Sequence, residues 1–361
     1  MGSSLKCYNV NMTGLQRSIQ TSFHPSKNPL GVMRVMGPQG RLPQAAERLD
    51  PSLPLFSDET RVKVKRLNLD SASFRQLKEN SGGDPIRIGA QVMAIVRQRG
   101  KMQNPVTGSG GMLLGEIEER GPEAPGRFSR GDSIATLVSL TLTPMYLERV
   151  IQVEVEKAQI DVEGYAILFA SSPAVKMPED LSESAALAAL DVCGAPAWVR
   201  RIVRKGDRVL LIGAGKSAVL SAYAAMEALG LESLPWVSDV SEQALGRVRG
   251  LGVFGGLVCA DAQNPIAFHD ALKGAGAPDF DWVINACNAP ETEAATVLAA
   301  RQGGKCLFFN MATQFNRAVL SAEGLGRDLE LWMGNGYAEG HAEYALDLLR
   351  RHEKLKKFFG G

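Results

Sequence analysis

Apolar and polar residues alternate differently in the two halves of the chain. In the first half, residues 62–67 alternate as a half-buried strand does, and residues 86–98, 113–118 and 133–140 are predicted as further strands. Residues 70–79 have the spacing of a helix. Short strands joined by turns rich in Gly and Pro predict a compact β-rich unit. The residues that precede it hold several prolines and predict an irregular arm packed on this unit.

The second half consists of short apolar runs that alternate with helical patterns. Strands are predicted at 209–212, 237–239, 254–259, 281–286, 304–310 and 328–334. Helices are predicted at 181–190, 216–230, 242–251, 291–301 and 339–358. Ser182 is placed to cap the first of these helices. Strands that alternate with helices are typical of a doubly wound parallel sheet, so we expect an α/β fold.

The strand at 209–212 runs directly into a Gly-rich turn. Gly213 permits a tight turn, Gly215 lets a pyrophosphate approach the backbone, and Ala218 keeps the new helix close to the strand. The first N–H groups of that helix, which begins with Lys216 and Ser217, would face the phosphates. The turn therefore predicts a dinucleotide site, although Gly-rich turns also join strands to helices where no ligand binds.

An acidic residue, Asp239, ends the next predicted strand and would accept hydrogen bonds from the adenosine ribose. Its charge would repel the 2′-phosphate of NADP, and residues 240–242 offer no positive charge to offset it. We therefore expect NAD as the cofactor. Asn285 and Ala286, at the end of a later strand, are assigned to the same cofactor site.

Composition narrows the class of protein. The chain has 361 residues, 45% of them hydrophobic and 22% charged, which is an ordinary globular profile of about two domains. A formal charge of +1 argues against nucleic acid or an anionic membrane as partner, and no apolar run approaches a membrane span. Residues 1–30 lack the apolar core of a secretory signal, and the five cysteines form no CxxC pair. Reduced thiols in a cytoplasmic protein are expected.

The order of these landmarks resembles the medium-chain dehydrogenase/reductase superfamily. The residues that carry the resemblance lie at 62–65, 111–121, 130–132, 205–209, 213–215, 239 and 301–304. The resemblance covers roughly residues 60–355. It implies a GroES-like β-rich catalytic domain. This domain consists of residues 1–180, which include the arm, and residues 337–361. It also implies a Rossmann domain over residues 181–336 that binds NAD.

The chain departs from the zinc-dependent members of that superfamily. Those members carry a Cys after the first strand, a Gly-His-Glu turn and a third ligand ahead of the Rossmann strand. Here Asp70 stands at the first position, Met112 and Leu113 replace His-Glu, and Asp191 falls near the third. Met and Leu cannot complete a site that needs imidazole or thiolate ligands, so we expect an enzyme without metal.

Within the superfamily, residues 66–74, 104–113 and 189–194 resemble dehydrogenases of lysine fermentation that act on a diaminohexanoate. The resemblance implies oxidative deamination of a small diamino acid, with ammonia and a 3-oxo acid as products. Asp70 and Asp191 are the candidate catalytic residues, because carboxylates favour a cationic substrate and can accept a proton. The alternative is that Asp70 only caps the helix beginning near Ser71, and that Asp191 is a hydrogen-bonded hinge residue.

Donors for the substrate carboxylate are expected in the next loop, where Lys101, Asn104, Thr107 and Ser109 are the candidates. The alternative is a Gly-rich turn without a ligand, with Lys101 simply solvated.

Oxidative deamination has two alternatives as the function of the chain. One is a zinc-free ketone or quinone reductase that uses NADPH, and the other is a non-catalytic nucleotide-binding protein. Residues 328–334 alternate like a strand at a sheet edge, which invites pairing, so we expect at least a homodimer.

Overall fold

Two large β-sheets, one antiparallel and one parallel, form the framework of the protein. The computed structural model describes residues 23–26, 28–137, 139–230 and 233–360, and among these residues each large sheet has six strands. Strands β1 to β14 are, in order, Val35–Gly37, Arg48–Leu49, Thr60–Asn68, Met112–Arg120, Ser133–Thr136, Met145–Glu154, Gln159–Leu168, Ala174–Lys176, Val209–Ile212, Trp236–Asp239, Gly256–Cys259, Phe280–Asn285, Ala300–Phe308 and Glu330–Met333.

The helices pack against these sheets and against one another. Helices α1 to α11 are, in order, Ser71–Ser81, Pro85–Arg99, Glu183–Leu190, Gly194–Ile202, Lys216–Leu229, Glu242–Arg249, Pro265–Gly274, Glu293–Ala299, Phe315–Gly324, His341–Arg351 and Glu353–Gly360. Ser182 caps α3 as expected, because its hydroxyl accepts a hydrogen bond from the Ala185 N–H at 3.2 Å.

The antiparallel sheet has the strand order β6-β7-β3-β4-β5-β8. Alternate residues of β3, among them Val62 and Val64, are buried in a core that α1 and α2 cover. The predicted β-rich unit is therefore present. The strand predicted at 133–140 is shorter than expected, because β5 ends at Thr136, and Val138 lies outside the described residues.

One predicted strand is wrong. Residues 86–98 belong to α2, which begins with Pro85 and is capped by Asp84 through a 2.8 Å hydrogen bond to the Ile86 N–H. Residues 88, 92 and 96 are buried in the core at helical spacing. The many apolar residues of the whole stretch concealed this spacing in the sequence. Gly89 lets the helix approach β6, because a Cβ there would lie 3.2 Å from Val150.

The parallel sheet has the strand order β11-β10-β9-β12-β13-β14, as expected for a doubly wound fold. All four residues of β9 are buried, which explains its uninterrupted apolar sequence. The strand order reverses between β9 and β12, and ligands bind at such a point. Helices α4, α7 and α9 were not predicted, and residues 339–358 form two helices, because the chain is extended at His352.

The described part of the N-terminal arm packs on the antiparallel sheet, as expected, but it is not wholly irregular. Its strands β1 and β2 pair, and the Arg34 guanidinium forms a buried ion pair with Glu59 at 2.6 Å. The Tyr165 hydroxyl of β7 donates to the Pro51 carbonyl at 2.9 Å. Residues 1–22 of the predicted arm lie outside the described residues.

Candidate functional site

The Gly-rich turn after β9 has the geometry that a dinucleotide requires. Gly213 adopts a φ of +100°, which L side chains rarely adopt, and a Cβ there would lie 3.4 Å from the backbone of Ala286. A Cβ on Gly215 would have no neighbour within 4 Å, so the backbone beside it is open to a ligand. Ala286, placed next to Gly213 after β12, therefore lies at the point where the strand order reverses.

Helix α5 begins at Lys216 and presents uncapped N–H groups at its start, because Gly215 supplies no side-chain cap. The Ser217 hydroxyl oxygen is buried without a hydrogen-bond partner among the described residues. Ala218 is 1% exposed and packs the helix against the sheet. These features fit a pyrophosphate at the N-terminus of α5.

Asp239 is the last residue of β10, and its carboxylate is held by two backbone groups. Oδ2 accepts from the Ala214 N–H at 2.7 Å, and Oδ1 accepts from the Ser241 N–H at 2.8 Å. Each oxygen keeps acceptor capacity for a ribose hydroxyl, since a carboxylate has about four lone-pair sites. The structure thus fixes this carboxylate beside the Gly-rich turn.

Asn285 was expected at the cofactor site, but its side chain is buried and faces the protein. Asn285 is fully buried, and its amide donates to the hydroxyls of Thr292 and Thr296 at 2.8 and 2.9 Å. Its side-chain oxygen accepts from the Cys287 N–H at 3.1 Å. Asn285 therefore shapes the loop after β12 from within, because its polar atoms are engaged by the protein itself.

A cleft of about 700 Å³ lies between the two sheets. Residues after β3 and around β4 line one wall, and the segments that follow α3, β13 and β14 line the other. Met112, Leu190 and Phe309 make parts of the surface apolar, and Tyr337 comes from the loop after β14. Both predicted catalytic residues, Asp70 and Asp191, line this cleft.

Asp70 combines the two roles that the sequence left open. Its Oδ1 accepts from the Ser73 N–H at 2.9 Å and so caps α1. Its Oδ2 is buried and has no hydrogen-bond partner in the described part of the chain. A carboxylate oxygen without a partner in a cleft is available to a donor on a ligand.

Asp191 directly follows α3, and its side chain reaches solvent inside the cleft. The protein around the cleft withdraws the carboxyl from bulk water, and this burial raises its pKa to about 6. The Lys216 ammonium lowers that pKa and the Asp70 carboxylate raises it. Asp70 and Asp191 are thus close enough for their charges to interact.

Of the loop residues predicted to bind the substrate carboxylate, Ser109 alone lines the cleft. Its hydroxyl lies 2.9 Å from the Ser73 hydroxyl and 3.0 Å from that of Thr107, and the Ser73 and Thr107 hydroxyls are 2.7 Å apart. Thr107 therefore supports Ser109 from behind. Asn104 is buried, and its amide donates to the Gln76 side chain at 2.8 Å, so it orders the loop from inside.

Lys101 does not lie at the cleft, contrary to the expectation from sequence. Its side chain is fully buried, and its ammonium donates to the Pro43 carbonyl at 2.8 Å. Burial lowers the pKa of Lys101 to about 8. The described residues that line the cleft include no Lys or Arg, so neutral groups and the two carboxylates determine its polarity.

Sequence reasoning missed several cleft residues. Ser139 and Thr141 add hydroxyls to one wall, and Asn288 and Asn335 add amides to the other. The loop around Asn335 carried no local signal, because only the tertiary fold brings this late segment of the chain to the cleft.

Two observations bear on metals and membranes. Among residues 23–26, 28–137, 139–230 and 233–360, no group of three or more His, Cys, Asp or Glu side chains is arranged to hold a metal ion. Over the same described ranges, no helix is long and apolar enough to cross a membrane.

Solved structures share this architecture. The CurK enoyl reductase aligns with a TM-score of 0.54 at 14% identity, over 83% of this chain and 80% of its own. An alcohol dehydrogenase from Thermotoga maritima aligns with a TM-score of 0.53 at 13% identity, over 85% of each chain. The fold is therefore that of the medium-chain dehydrogenases, with a GroES-like domain and a Rossmann domain. This fold class was expected from the sequence and is confirmed.

The sequence comparisons are more specific. The family model for the N-terminal domain of L-erythro-3,5-diaminohexanoate dehydrogenase matches residues 33–178. L-erythro-3,5-diaminohexanoate dehydrogenase from Acetoanaerobium sticklandii is 42% identical over 91% of this chain and 97% of its own. The enzyme of that name from Fusobacterium nucleatum is 42% identical over 91% of this chain and 96% of its own. The chain belongs to the L-erythro-3,5-diaminohexanoate dehydrogenase family. Dehydrogenase relatives with a Rossmann domain indicate a nicotinamide cofactor.

Proposed function

We propose that this protein oxidises L-erythro-3,5-diaminohexanoate with NAD, giving 5-amino-3-oxohexanoate and ammonia. The observation that carries the proposal is the pair of carboxylates, Asp70 and Asp191, in one cleft between the sheets. The two relatives at 42% identity bear the name of this dehydrogenase, which supports the same substrate.

The charge of the cleft favours such a substrate. Its described lining offers two carboxylates and no Lys or Arg, so a ligand with ammonium groups is attracted and a dianion is repelled. The substrate carries two ammonium groups and one carboxylate. Asp70 and Asp191 supply one carboxylate for each ammonium group, while Ser109 donates to the substrate carboxylate.

The residues of the Rossmann domain fit NAD. Gly213, Gly215 and the start of α5 would hold the pyrophosphate, and Asp239 would hold the adenosine ribose. When bound, NAD supplies the acceptor for the hydride that leaves the C3 carbon of the substrate. The negative charge of Asp239 favours ribose hydroxyls over a 2′-phosphate, so we propose NAD rather than NADP.

Asp191 is suited to accept a proton from the reacting ammonium group. With a pKa of about 6 it is mostly ionised at pH 7 to 8 and still basic enough to take the proton. Deprotonation matters because only the neutral amine can lose hydride from C3 and become an imine. The same carboxyl group then assists the addition of water, which provides the keto oxygen as ammonia leaves.

Asp70 is suited to bind the second ammonium group. Its Oδ1 is engaged by the Ser73 N–H, which holds the side chain in place, while Oδ2 remains available. A carboxylate fixed by a helix cap loses little conformational freedom on binding. We therefore assign Asp70 to substrate binding and Asp191 to proton transfer.

The test is turnover. The purified protein, supplied with NAD and L-erythro-3,5-diaminohexanoate, should form NADH and ammonia in equal amounts, and simple alcohols should not replace the diamino acid. Reduction of quinones or ketones with NADPH, without amine oxidation, would assign it to the reductases instead. Binding of NAD without turnover of amines, alcohols or quinones would show a non-catalytic nucleotide-binding protein.

A further inference from the structure

The N-terminal arm holds a buried ammonium at the base of the loop that carries Ser109. Lys101 begins this Ser109 loop (residues 101–111), and its side chain is fully buried. Its ammonium donates to two carbonyls of the arm, that of Pro43 at 2.8 Å and that of Gln44 at 3.4 Å. Burying an ammonium costs free energy unless such acceptors are present. Compared with an apolar side chain, the ammonium adds a directional contact between the arm and the loop.

A second side chain joins the same part of the arm to the cleft. The Gln103 amide donates to the Gln44 carbonyl at 3.4 Å and to the Gly108 carbonyl at 3.2 Å. Gly108 and Ser109 both line the cleft. The Asn104 N–H donates to the Ser109 carbonyl at 2.8 Å and closes the loop behind them. The arm is therefore connected to the residues of the loop that face a substrate.

The arm also supports the neighbouring part of the same cleft wall. Residues 43–45 form one turn of 3₁₀ helix, which lies against a second such turn at residues 140–142. Ser139, which precedes this second turn, lines the cleft. The Leu140 N–H donates to the Gly111 carbonyl at 2.9 Å and so joins the second turn to the Ser109 loop. One segment of the arm thus contacts both parts of the wall.

We propose that the contact between the arm and the Ser109 loop positions the Ser109 hydroxyl for the substrate carboxylate, and that Lys101 and Gln103 are the positioning residues. The inference rests on the proposed function, in which Ser109 donates to that carboxylate. Lys101 and Gln103 do not line the cleft, so their effect reaches the substrate only through the loop. The consequence is specificity, because the contact favours a diamino acid over a similar diamine whose carboxylate is replaced by a neutral group.

The experiment compares two substrates of the full-length protein with NAD, L-erythro-3,5-diaminohexanoate and its amide, which lacks the carboxylate charge. Lys101→Met keeps the length of the side chain and removes the donor. The KM for the diamino acid should rise about tenfold, the order of a hydrogen bond to a charged group, while kcat changes little. The KM for the amide should stay nearly unchanged. Gln103→Met should have a smaller effect in the same direction, because Lys101 still holds the arm.

Ser109→Ala gives the upper limit of the effect, because it removes the hydroxyl itself. Adding Lys101→Met to Ser109→Ala should raise KM little further, since both changes act on one contact. Tyr165→Phe is the matched control, because it removes another hydrogen bond to an arm carbonyl, that of Pro51, and leaves the donors of Lys101 and Gln103 in place. It should leave both KM values unchanged.

Hydrogen exchange followed by mass spectrometry tests the contact without substrate. Lys101→Met should speed the exchange of the backbone amides of residues 104–110 by about tenfold, because the loop opens more often when the arm no longer holds it. Tyr165→Phe should leave this exchange unchanged. If Lys101→Met does not fold, Gln103→Met takes its place in both measurements.

An unchanged KM for the diamino acid, or unchanged exchange of the loop, in the folded variants of Lys101 and Gln103 would overturn the inference. An equal rise in KM for the diamino acid and for the amide would also overturn it, because a general distortion of the cleft does not distinguish the two substrates. A wild-type protein that fails to oxidise the diamino acid would refute the proposed function, and the exchange measurement would still decide whether the arm holds the loop.

Discussion

At the scale of single residues, the candidate site uses side chains that already have a structural task. Asp70 caps α1 with one oxygen and presents the other to the cleft. Asp239 is held by two backbone N–H groups and still has lone pairs for a ribose. Such fixed carboxylates are pre-organised, because the hydrogen bonds that hold them also set their direction.

The first prediction concerns Asp191. Asp191→Asn keeps the size of the side chain but removes its charge and basicity, so kcat for amine oxidation should fall by about 10²- to 10⁴-fold. In the wild type, activity requires the ionised carboxylate and should be lost as pH falls through about 6. Steady-state kinetics over a pH series checks both points. Asp70→Asn, the matched variant, should mainly raise KM. Unchanged kinetics in both variants would remove them from the site.

The second prediction concerns cofactor choice and Asp239. The double substitution Asp239→Ser and Val240→Arg removes the repulsion of a 2′-phosphate and adds a cation beside it. The ratio of kcat/KM for NADP to that for NAD should rise by at least about tenfold, which corresponds to about 1.4 kcal/mol. Kinetics with both cofactors measures the ratio. Equal use of NAD and NADP by the unaltered protein would show that Asp239 does not select.

At the scale of helices and strands, the pattern of buried and exposed residues determines which face of an element packs against its neighbours. Helix α2 shows this well, because Gly89 allows close contact with β6 while the exposed Ile86 faces away. Strand β14 is the opposite case, since it ends the parallel sheet and pairs with β13 alone among the described strands. Helix α9, which leads into β14, exposes Phe315 and Leu320 by more than half.

The third prediction is that the β14 edge joins two copies of the chain. An open strand edge beside exposed apolar side chains favours pairing with a second copy. Sedimentation at micromolar concentration should give about twice the chain mass of 38.8 kDa. Phe315→Asp with Met333→Asp should shift the protein toward monomer. Ile266→Asp on α7, equally exposed but near the other sheet edge, should not. A wild-type monomer would refute the pairing.

The fourth prediction concerns the contact between Lys101 and the N-terminal arm. Burial lowers the pKa of Lys101 from 10.5 to about 8, so the folded protein releases this proton at lower pH than the unfolded chain does. The unfolded state then binds more protons between these values, and this residue makes stability rise with pH there. Compared with Lys101→Met, the wild type should gain up to about 3 kcal/mol from pH 8 to 10.5. Urea unfolding across this range checks it, and parallel curves would contradict it.

At the scale of the whole molecule, the site exists because two domains meet. The carboxylates stand after β3 and after α3, which are far apart in sequence, and the cleft joins them. The division of the chain at residues 180 and 337 stays a prediction. Helices α10 and α11, at the end of the chain, pack against α3, and α10 also contacts α4 and α5.

The fifth prediction is that the whole enzyme works without zinc. The positions that hold zinc in related dehydrogenases carry Asp70, Met112 and Asp191, and this set lacks imidazole and thiolate. Elemental analysis of the purified protein should find far less than one zinc per chain. A chelator should leave amine oxidation unchanged, with a zinc-dependent alcohol dehydrogenase inactivated in parallel as the control. Stoichiometric, tightly bound zinc would contradict the prediction.

The sequence by itself determined the features that depend on near neighbours in the chain. The Gly213 turn, the acid at the end of β10 and the N-caps Asp70 and Ser182 follow from local backbone chemistry, and the structure contains them all. The tertiary structure decided which side chains share the cleft. Lys101 was expected there but is buried against the arm, whereas Asn335 was not expected there and lines the cleft. Such contacts depend on residues distant in sequence, which no local pattern records.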